Sequence, residues 1–253
     1  MCLVVLAQRC HPQYRLVIAA NRDEFHDRPS LAAAPWLERD SVYGGRDLSA
    51  GGAWMAADRR GRVALVTNIR GLKAGERSRG LLVRDLLLDH APITAAVSQL
   101  QEQRAQYRPF NLIAGTTDDL WFLGSDCGVP TALSRATHTL SNASLDTPWP
   151  KTHRLAAHMR TWCAAGDPDT DPLFAALADT RIAVDTELPD TGIGIDHERF
   201  LSSPFIVSDR YGTRCSSVYS VDREGNARLQ ERSFGPKGVA IGSVDLRWRI
   251  EAC

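Results

Sequence analysis

The residue whose type and position best suit nucleophilic chemistry is Cys2, because it directly follows the initiator methionine. A small side chain at position 2 permits removal of Met1, which leaves Cys2 with a free α-amine. The ordinary pKa of an α-amine is about 7.7–8.0 and that of a thiol is about 8.5, so the two groups are matched for proton transfer near neutral pH. An N-terminal cysteine can therefore use its own α-amine as a general base. The alternative is that Cys2 is a small apolar residue that begins a strand.

The polar tetrapeptide Asn21-Arg22-Asp23-Glu24 ends the second apolar run of the chain. We expect this run to form a strand beside the first one, which places a carboxylate and a guanidinium near Cys2. Asp23 can then hold the new α-ammonium or orient the thiol, and Arg22 can lower the thiol pKa. The alternative is a polar turn with an Arg–Asp pair on the surface, which contributes little to stability.

Two asparagines and one arginine are further candidates, since each lies at the end of a predicted strand. Asn68 follows the strand predicted over residues 63–67, and Asn142 follows the strand predicted near 138–141. An asparagine amide at such a place can donate to a developing oxyanion, although asparagine is also common in turns and caps. Arg214 begins the last predicted hairpin, where an arginine on the surface is the ordinary expectation.

The elements that must position these residues are predicted from apolar runs, turn residues and helical spacing. Residues 2–7 and 14–20 are nearly continuous apolar runs, typical of a sheet that is buried on both faces. Residues 28–35 are predicted as a loop rich in Pro and Ala, and residues 58–62 as a solvated turn between two strands. The remaining strands are expected at about 51–57, 63–68, 111–115, 121–124, 138–141, 213–221 and 227–234, and the helices at about 79–89, 93–103, 151–164 and 173–178.

This order of strands and helices favours an α+β fold in which two stacked antiparallel sheets are covered by helices on both sides. A parallel fold should instead alternate strand and helix along the chain. We expect one domain over residues 1–253, with a loop-rich insert at about 167–203. A homo-oligomer is compatible with this organisation.

The bulk composition excludes several classes of function. The 30 Lys and Arg balance the 30 Asp and Glu, so no electrostatic basis for nucleic-acid binding exists. No apolar run approaches the roughly 18 residues that span a bilayer. The six cysteines lack paired spacing, which indicates free thiols and a cytoplasmic location. No phosphate loop, dinucleotide loop or metal-binding motif is complete, so we expect no cofactor and no metal.

The motifs named above, together with several later ones, resemble the NRDE family, relatives of transport and Golgi organisation protein 2. The resemblance begins with Met1-Cys2 and the tetrapeptide at residues 21–24, covers nearly the whole chain, and is specific at these first two motifs. It continues in family order through Arg28-Pro29, Gly51-Gly52-x-Trp54, Thr67-Asn68-x-Arg70, Ser78-Arg79-Gly80, Phe110-Asn111-Leu112, Leu140-Ser141-Asn142, Trp149-Pro150-Lys151 and Gly212-Thr213-Arg214.

That family in turn resembles the cysteine N-terminal-nucleophile hydrolases, such as penicillin V acylase and bile salt hydrolase. The resemblance implies a four-layer αββα sandwich. It implies catalytic roles for Cys2 as nucleophile, Asp23, Asn68, Asn142 as oxyanion donor and Arg214. The acylases place an arginine three residues before their aspartate, whereas this chain has Ala20 there and Arg22 directly before Asp23.

The implied function is hydrolysis of a non-peptide C–N amide bond in a small-molecule amide or acyl substrate. On this resemblance we assign substrate contacts to the motif residues Asn21, Arg22, Glu24, Trp54 and Arg70. The alternative is a binding or trafficking protein on the same scaffold, with haem or an acyl or lipid ligand as its cargo. The histidines of the chain are isolated and no C-x-x-C-H motif is present, so the sequence offers no obvious haem ligand.

Overall fold

The computed structural model describes residues 2–72 and 75–251, so Met1, whose removal the sequence predicts, lies outside the described residues. The strands are β1 (Cys2–Gln8), β2 (Tyr14–Phe25), β3 (Ser30–Trp36), β4 (Arg39–Asp47), β5 (Met55–Asp58), β6 (Arg62–Asn68), β7 (Phe110–Thr116), β8 (Leu120–Gly124), β9 (Thr131–Ala132), β10 (Thr137–Leu140), β11 (Tyr211–Asp222), β12 (Asn226–Phe234) and β13 (Ala240–Arg249). The helices are α1 (Gly80–Leu88), α2 (Ile93–Gln103), α3 (Pro150–Ala165), α4 (Asp171–Leu177) and α5 (Ile195–Phe200).

The strands form two antiparallel sheets. The first sheet has the order β10-β1-β2-β11-β12-β13, and the second runs from β3 to β9 in chain order. The first two strands pair antiparallel, as predicted, with Cys2 opposite Arg22. The chain therefore builds the first sheet from both of its ends.

Residues 3–7 of β1 and 16–20 of β2 are all apolar, because both faces of the sheet are buried there. Alternate residues such as Val4 and Ile18 pack between the two sheets. Their neighbours, such as Leu3 and Val17, pack against α3 and α4 on the outer face of the first sheet. Helices α1 and α2 cover the outer face of the second sheet in the same way. The predicted α+β fold of two antiparallel sheets between helices is thereby confirmed. Across the described residues, no helix is long and apolar enough to cross a membrane.

The structure differs from the sequence-based expectation at several places, one of which is the partly buried strand β4, which was not predicted. The predicted loop at 28–35 is largely β3, an edge strand whose mostly exposed residues leave no apolar pattern. Strand β13 was not predicted, and it too is an exposed edge strand. In the predicted solvated turn at 58–62, Arg59 is exposed, but the flanking Asp58 and Arg62 are only 1% and 5% exposed.

Candidate active site

Cys2 occupies the first position of β1 and lies at one end of the core between the sheets. Its register partner is Arg22, two positions beyond Ala20 on β2. The preceding inward-facing residues of the two strands, Val4 and Ala20, belong to the core between the sheets. Alternation therefore directs Cys2 and Arg22 into the same space, where Cys2 is half-buried.

Asp23 is held at this end of the sheet by the neighbouring strand β11. Its register partner is Thr213, whose Oγ1 donates a hydrogen bond to Asp23 Oδ1 at 2.7 Å. Asp23 is only 1% exposed. Burial raises the pKa of Asp23, while the charge of Lys151 and the Thr213 hydrogen bond act in the opposite direction.

A cavity of about 140 Å³ opens beside Cys2. Three of the predicted catalytic residues, Cys2, Asp23 and Asn68, line it although they come from three strands of two sheets. Its wall also includes Arg22, Glu24, Arg28, Trp54, Arg79 and Arg108.

The two predicted asparagines are in direct contact. Asn142 Nδ2 donates to Asn68 Oδ1 at 2.8 Å and lies 3.1 Å from the Asn68 carbonyl oxygen. Ser141 Oγ lies 3.3 Å from the Cys2 carbonyl oxygen and 3.2 Å from Asn142 Oδ1. The structure thus connects both asparagines to the backbone of Cys2, with the Asn142 amide already engaged as a donor to Asn68.

Arg214 is the extra residue of a β-bulge between Thr213 and Cys215. Its guanidinium donates to the carbonyl oxygens of Phe25 at 2.7 Å and Arg28 at 3.0 Å. Arg214 therefore holds the turn between β2 and β3, and it lines a second cavity instead of the one beside Cys2.

This second cavity measures about 250 Å³ and is separated from the first by Arg22 and Trp54, which line both. The Arg22 guanidinium lies over the Trp54 ring, with Cζ 4.6 Å from the ring centroid. A Cβ at Gly45 would lie 1.8 Å from Trp54, so only glycine allows the indole to take this position. Side chains of Leu31, Phe234, Ile241 and Val244 contribute apolar wall to the second cavity.

The other residues assigned to substrate contacts occupy different positions. Glu24 lines the first cavity, 3.8 Å from Arg28. Asn21 faces the helix layer, where its amide donates to the Leu177 and Pro204 carbonyl oxygens at 2.8 and 2.9 Å. Their roles in substrate binding stay predictions.

Arg70 forms a buried ion pair with Glu198 of α5, with Nη1 and Oε2 2.7 Å apart. Its guanidinium also lies over the Trp149 ring, with Cζ 5.0 Å from the centroid. Burial lowers the pKa of Arg70, and Glu198 opposes that effect. Arg70 thereby anchors α5 and the loop before it next to the site, and its contact with substrate stays a prediction.

The structure also places three cationic residues at the site to which the sequence analysis gave no role. Arg79 and Arg108 line the cavity. Lys151 is 2% exposed and its Nζ donates to the Leu201 carbonyl oxygen at 2.9 Å. Burial lowers the pKa of Lys151 to about 8, against the opposing charge of Asp23. Two of them, Arg79 and Lys151, belong to motifs of the resemblance, Ser78-Arg79-Gly80 and Trp149-Pro150-Lys151, and these motifs were the signal that could have pointed to them.

The Cys2 thiol has a raised pKa in this environment. Burial is the main cause, and the carboxylates of Asp23 and Glu24 add to it, whereas Arg22 lowers the pKa. The loss of hydration therefore raises the thiol pKa by more than the positive charge of Arg22 lowers it.

Comparison of the sequence with known proteins identifies one family. The family model described as Transport and Golgi organisation 2 matches residues 1–236. A Transport and Golgi organization protein 2 homolog of Bos taurus is 32% identical over 257 residues, covering 93% of this chain and 90% of that protein. The Homo sapiens homolog is 32% identical over 249 residues, covering 90% of this chain and 89% of that protein.

Two solved structures of hydrolases have a similar fold. A penicillin V acylase from Agrobacterium tumefaciens has a TM-score of 0.55 at 11% identity, covering 99% of this chain and 86% of that one. A mutant conjugated bile acid hydrolase from Clostridium perfringens has a TM-score of 0.55 at 8% identity, covering 99% and 97% of the two chains. At such low identity this likeness establishes the fold alone.

Proposed function

Since this chain belongs to the Transport and Golgi organisation 2 family and has the fold of an acylase, we propose that it hydrolyses a non-peptide C–N amide bond with Cys2 as nucleophile. The observation that carries this proposal is the shared cavity of Cys2, Asp23 and Asn68. Residues this far apart in sequence would have no reason to meet at one cavity if each were only a turn residue or a cap.

The proposed reaction begins once Met1 is removed. The α-amine of Cys2 accepts the thiol proton, and the sulfur attacks the amide carbonyl carbon to form a tetrahedral oxyanion. Collapse breaks the C–N bond, the leaving amine takes the proton from the α-ammonium, and a thioester remains. A water molecule, deprotonated by the α-amine, then attacks the thioester, which releases the carboxylic acid and restores the thiol.

Asp23 and the asparagines have distinct roles in this proposal. Asp23, fixed by Thr213, orients the α-ammonium through its negative charge. Asn142 donates to the oxyanion, which requires its Nδ2 to release one of its two acceptors on Asn68, the carbonyl oxygen or Oδ1. Arg214 acts at a distance, by holding the turn that follows β2.

Mass spectrometry of the intact protein, followed by alkylation of all cysteines with iodoacetamide, tests the proposal. We expect Met1 to be absent and Cys2 to react faster than Cys127, the exposed cysteine, because the new α-ammonium lies next to the thiol and offsets the raised pKa that burial causes. Cys2→Ser should abolish turnover of amide substrates while Cys127→Ser leaves it unchanged. A protein that lacks Met1 but has an unreactive Cys2 would contradict the hydrolase.

A binding or trafficking role for haem or an acyl ligand is the second candidate. The hydrogen bonds from the Asn142 amide to Asn68 favour the binding role, since a carrier needs no free donor for an oxyanion. The relatives are also named for transport and Golgi organisation. A carrier predicts ligand binding that survives Cys2→Ser and ordinary reactivity at Cys2.

We also infer a reducing location such as the cytoplasm, because Cys2, Cys10, Cys127, Cys163 and Cys215 are free thiols. Trapping of thiols during extraction from cells checks this inference. Disulfides in the trapped protein would contradict it.

A further inference from the structure

The cavity beside Cys2 has more basic than acidic residues in its wall. Arg22, Arg28, Arg79 and Arg108 face Asp23, Glu24 and Asp47. Arg28 forms a two-pronged hydrogen bond to Asp47, at 3.0 and 2.7 Å. Asp47 is thus occupied by Arg28, and the three acidic residues do not balance the four arginines of the wall.

Of the arginines in this wall, Arg22 is stacked on Trp54 and Arg28 is paired with Asp47, which leaves Arg79 and Arg108. Among residues 2–72 and 75–251, no Asp or Glu lies within ion-pair distance of either guanidinium. Arg79 is half-buried, and burial lowers its pKa, with Arg108 acting in the same direction and Cys2 opposing. Both residues line the cavity beside Cys2, so the two guanidinium groups border the same space as the thiol.

The start of α1 adds to this positive potential. Arg79 is the residue that precedes the helix, and Ser78, Arg79 and Gly80 all line the cavity. The first turn contains no acidic residue that would offset the positive end of the helix. The helix start is fixed in place by Gly52, where a Cβ would lie 2.4 Å from the Gly80 carbonyl carbon.

Arg79 is half-buried and Arg108 is exposed, and an anion between the two guanidinium groups would be attracted by both charges. We propose that Arg79 and Arg108 form an anion subsite beside Cys2, which binds a carboxylate or phosphate group of the substrate. This inference rests on the proposed hydrolase function and narrows its substrates to amides that carry such a group. Guanidinium groups suit both ligands because they donate paired hydrogen bonds to two oxygens.

Two alkylating reagents of the same leaving group test the subsite. Iodoacetate and iodoacetamide both form a C–S bond to a thiolate and release iodide, but only iodoacetate carries a carboxylate. We expect the ratio of the iodoacetate rate to the iodoacetamide rate to be roughly tenfold higher at Cys2 than at Cys127. Any change in thiolate fraction affects both reagents equally, so the ratio reports recognition of the anion.

The variants Arg79→Gln and Arg108→Gln should each lower this ratio at Cys2 several-fold, whereas Arg160→Gln on the exposed side of α3 should leave it unchanged. Arg79 directly precedes α1, so Arg79→Gln could impair folding. Arg108 lies before β7 and caps no helix, so Arg108→Gln still tests the subsite in that case. Acetate and inorganic phosphate, compared at equal ionic strength as protectants of Cys2, distinguish the two ligand classes.

The outcomes separate the two proposals. A Cys2 that reacts unusually fast with both reagents, at a ratio equal to that of Cys127 or unaffected by both variants, overturns the anion subsite and leaves the hydrolase standing. A Cys2 that reacts no faster than Cys127 with iodoacetamide contradicts the hydrolase itself. Protection by neither anion also overturns the subsite.

Discussion

Lys151 illustrates how a single buried charge affects the site. It is enclosed at the beginning of α3, near Asp23, with one hydrogen bond to the Leu201 carbonyl oxygen. A carboxylate as deeply buried as Asp23 would tend to take up a proton, and the ammonium of Lys151 opposes this. Lys151 is thus a positioning residue that keeps the Asp23 charge available to the α-amine.

The burial of Lys151 should make the free energy of unfolding depend on pH. Its pKa in the folded protein is about 8, below the ordinary 10.5, so between these values the unfolded chain binds more protons than the folded one. The free energy of unfolding should therefore rise with pH across this window, by on the order of 3 kcal/mol. In Lys151→Met this rise should disappear. Urea unfolding at several pH values measures it.

Lys237 provides the matched control, because its side chain is 72% exposed. Lys237→Met should show the same rise as the unaltered protein. If Lys151→Met keeps the full rise, the buried lysine is not its source.

At the scale of elements, the hairpin between β5 and β6 binds the end of α1. Arg62 donates to Asp58 Oδ2 at 2.9 Å and to the carbonyl oxygens of Leu87 and Asp89 at 2.7 and 2.8 Å. These are carbonyl groups that the helix leaves without intrahelical donors. The hairpin therefore acts as a C-terminal cap supplied by a different element.

Arg62→Ala should destabilise the protein by roughly 3 kcal/mol, because it removes the buried one of the two arginines that pair with the Asp58 carboxylate and leaves only the partly exposed Arg60. Arg59→Ala in the same hairpin should cost no more than about 1 kcal/mol, since Arg59 is exposed and donates to the Tyr43 hydroxyl. Chemical unfolding of both variants measures the difference. Equal losses would mean that Arg62 contributes as an ordinary surface residue.

Strands buried on both faces and strands exposed at a sheet edge differ in their sequence patterns. Strands β1 and β2 have apolar residues on both faces, so their position and pairing could be predicted from the sequence. Strands β3 and β13 are exposed at sheet edges and have no such pattern. Their existence depends on hydrogen bonds to β4 and β12, which only the folded chain provides.

The same distinction applies to the candidate site. Cys2, Asp23 and Asn68 could be predicted because each ends or begins a recognisable strand within a family motif. Arg79, Arg108 and Lys151 are single cations in helical or loop sequence. What distinguishes them is the lack of a nearby carboxylate or burial in the fold, and the spacing of residues along the sequence predicts neither property.

At the scale of the molecule, the two sheets share one core, to which Leu6 and Tyr219 of the first sheet and Leu65 and Ile113 of the second contribute. We expect both sheets to unfold together, as one domain. Circular dichroism and hydrogen exchange at β1 and β7 should give coincident urea transitions. Two separate midpoints would instead indicate two folding units and would contradict the single domain.

The stacked pair of Arg22 and Trp54 has a consequence for the size of a ligand. The cavity beside Cys2 is the smaller of the two that this pair borders, at about 140 Å³ against about 250 Å³. A longer molecule can therefore place only one end beside the sulfur, and the remainder must extend into solvent or cross the stacked pair into the second cavity. The indole and guanidinium planes thus act as a partition, and the length of an accepted ligand depends on whether this partition opens.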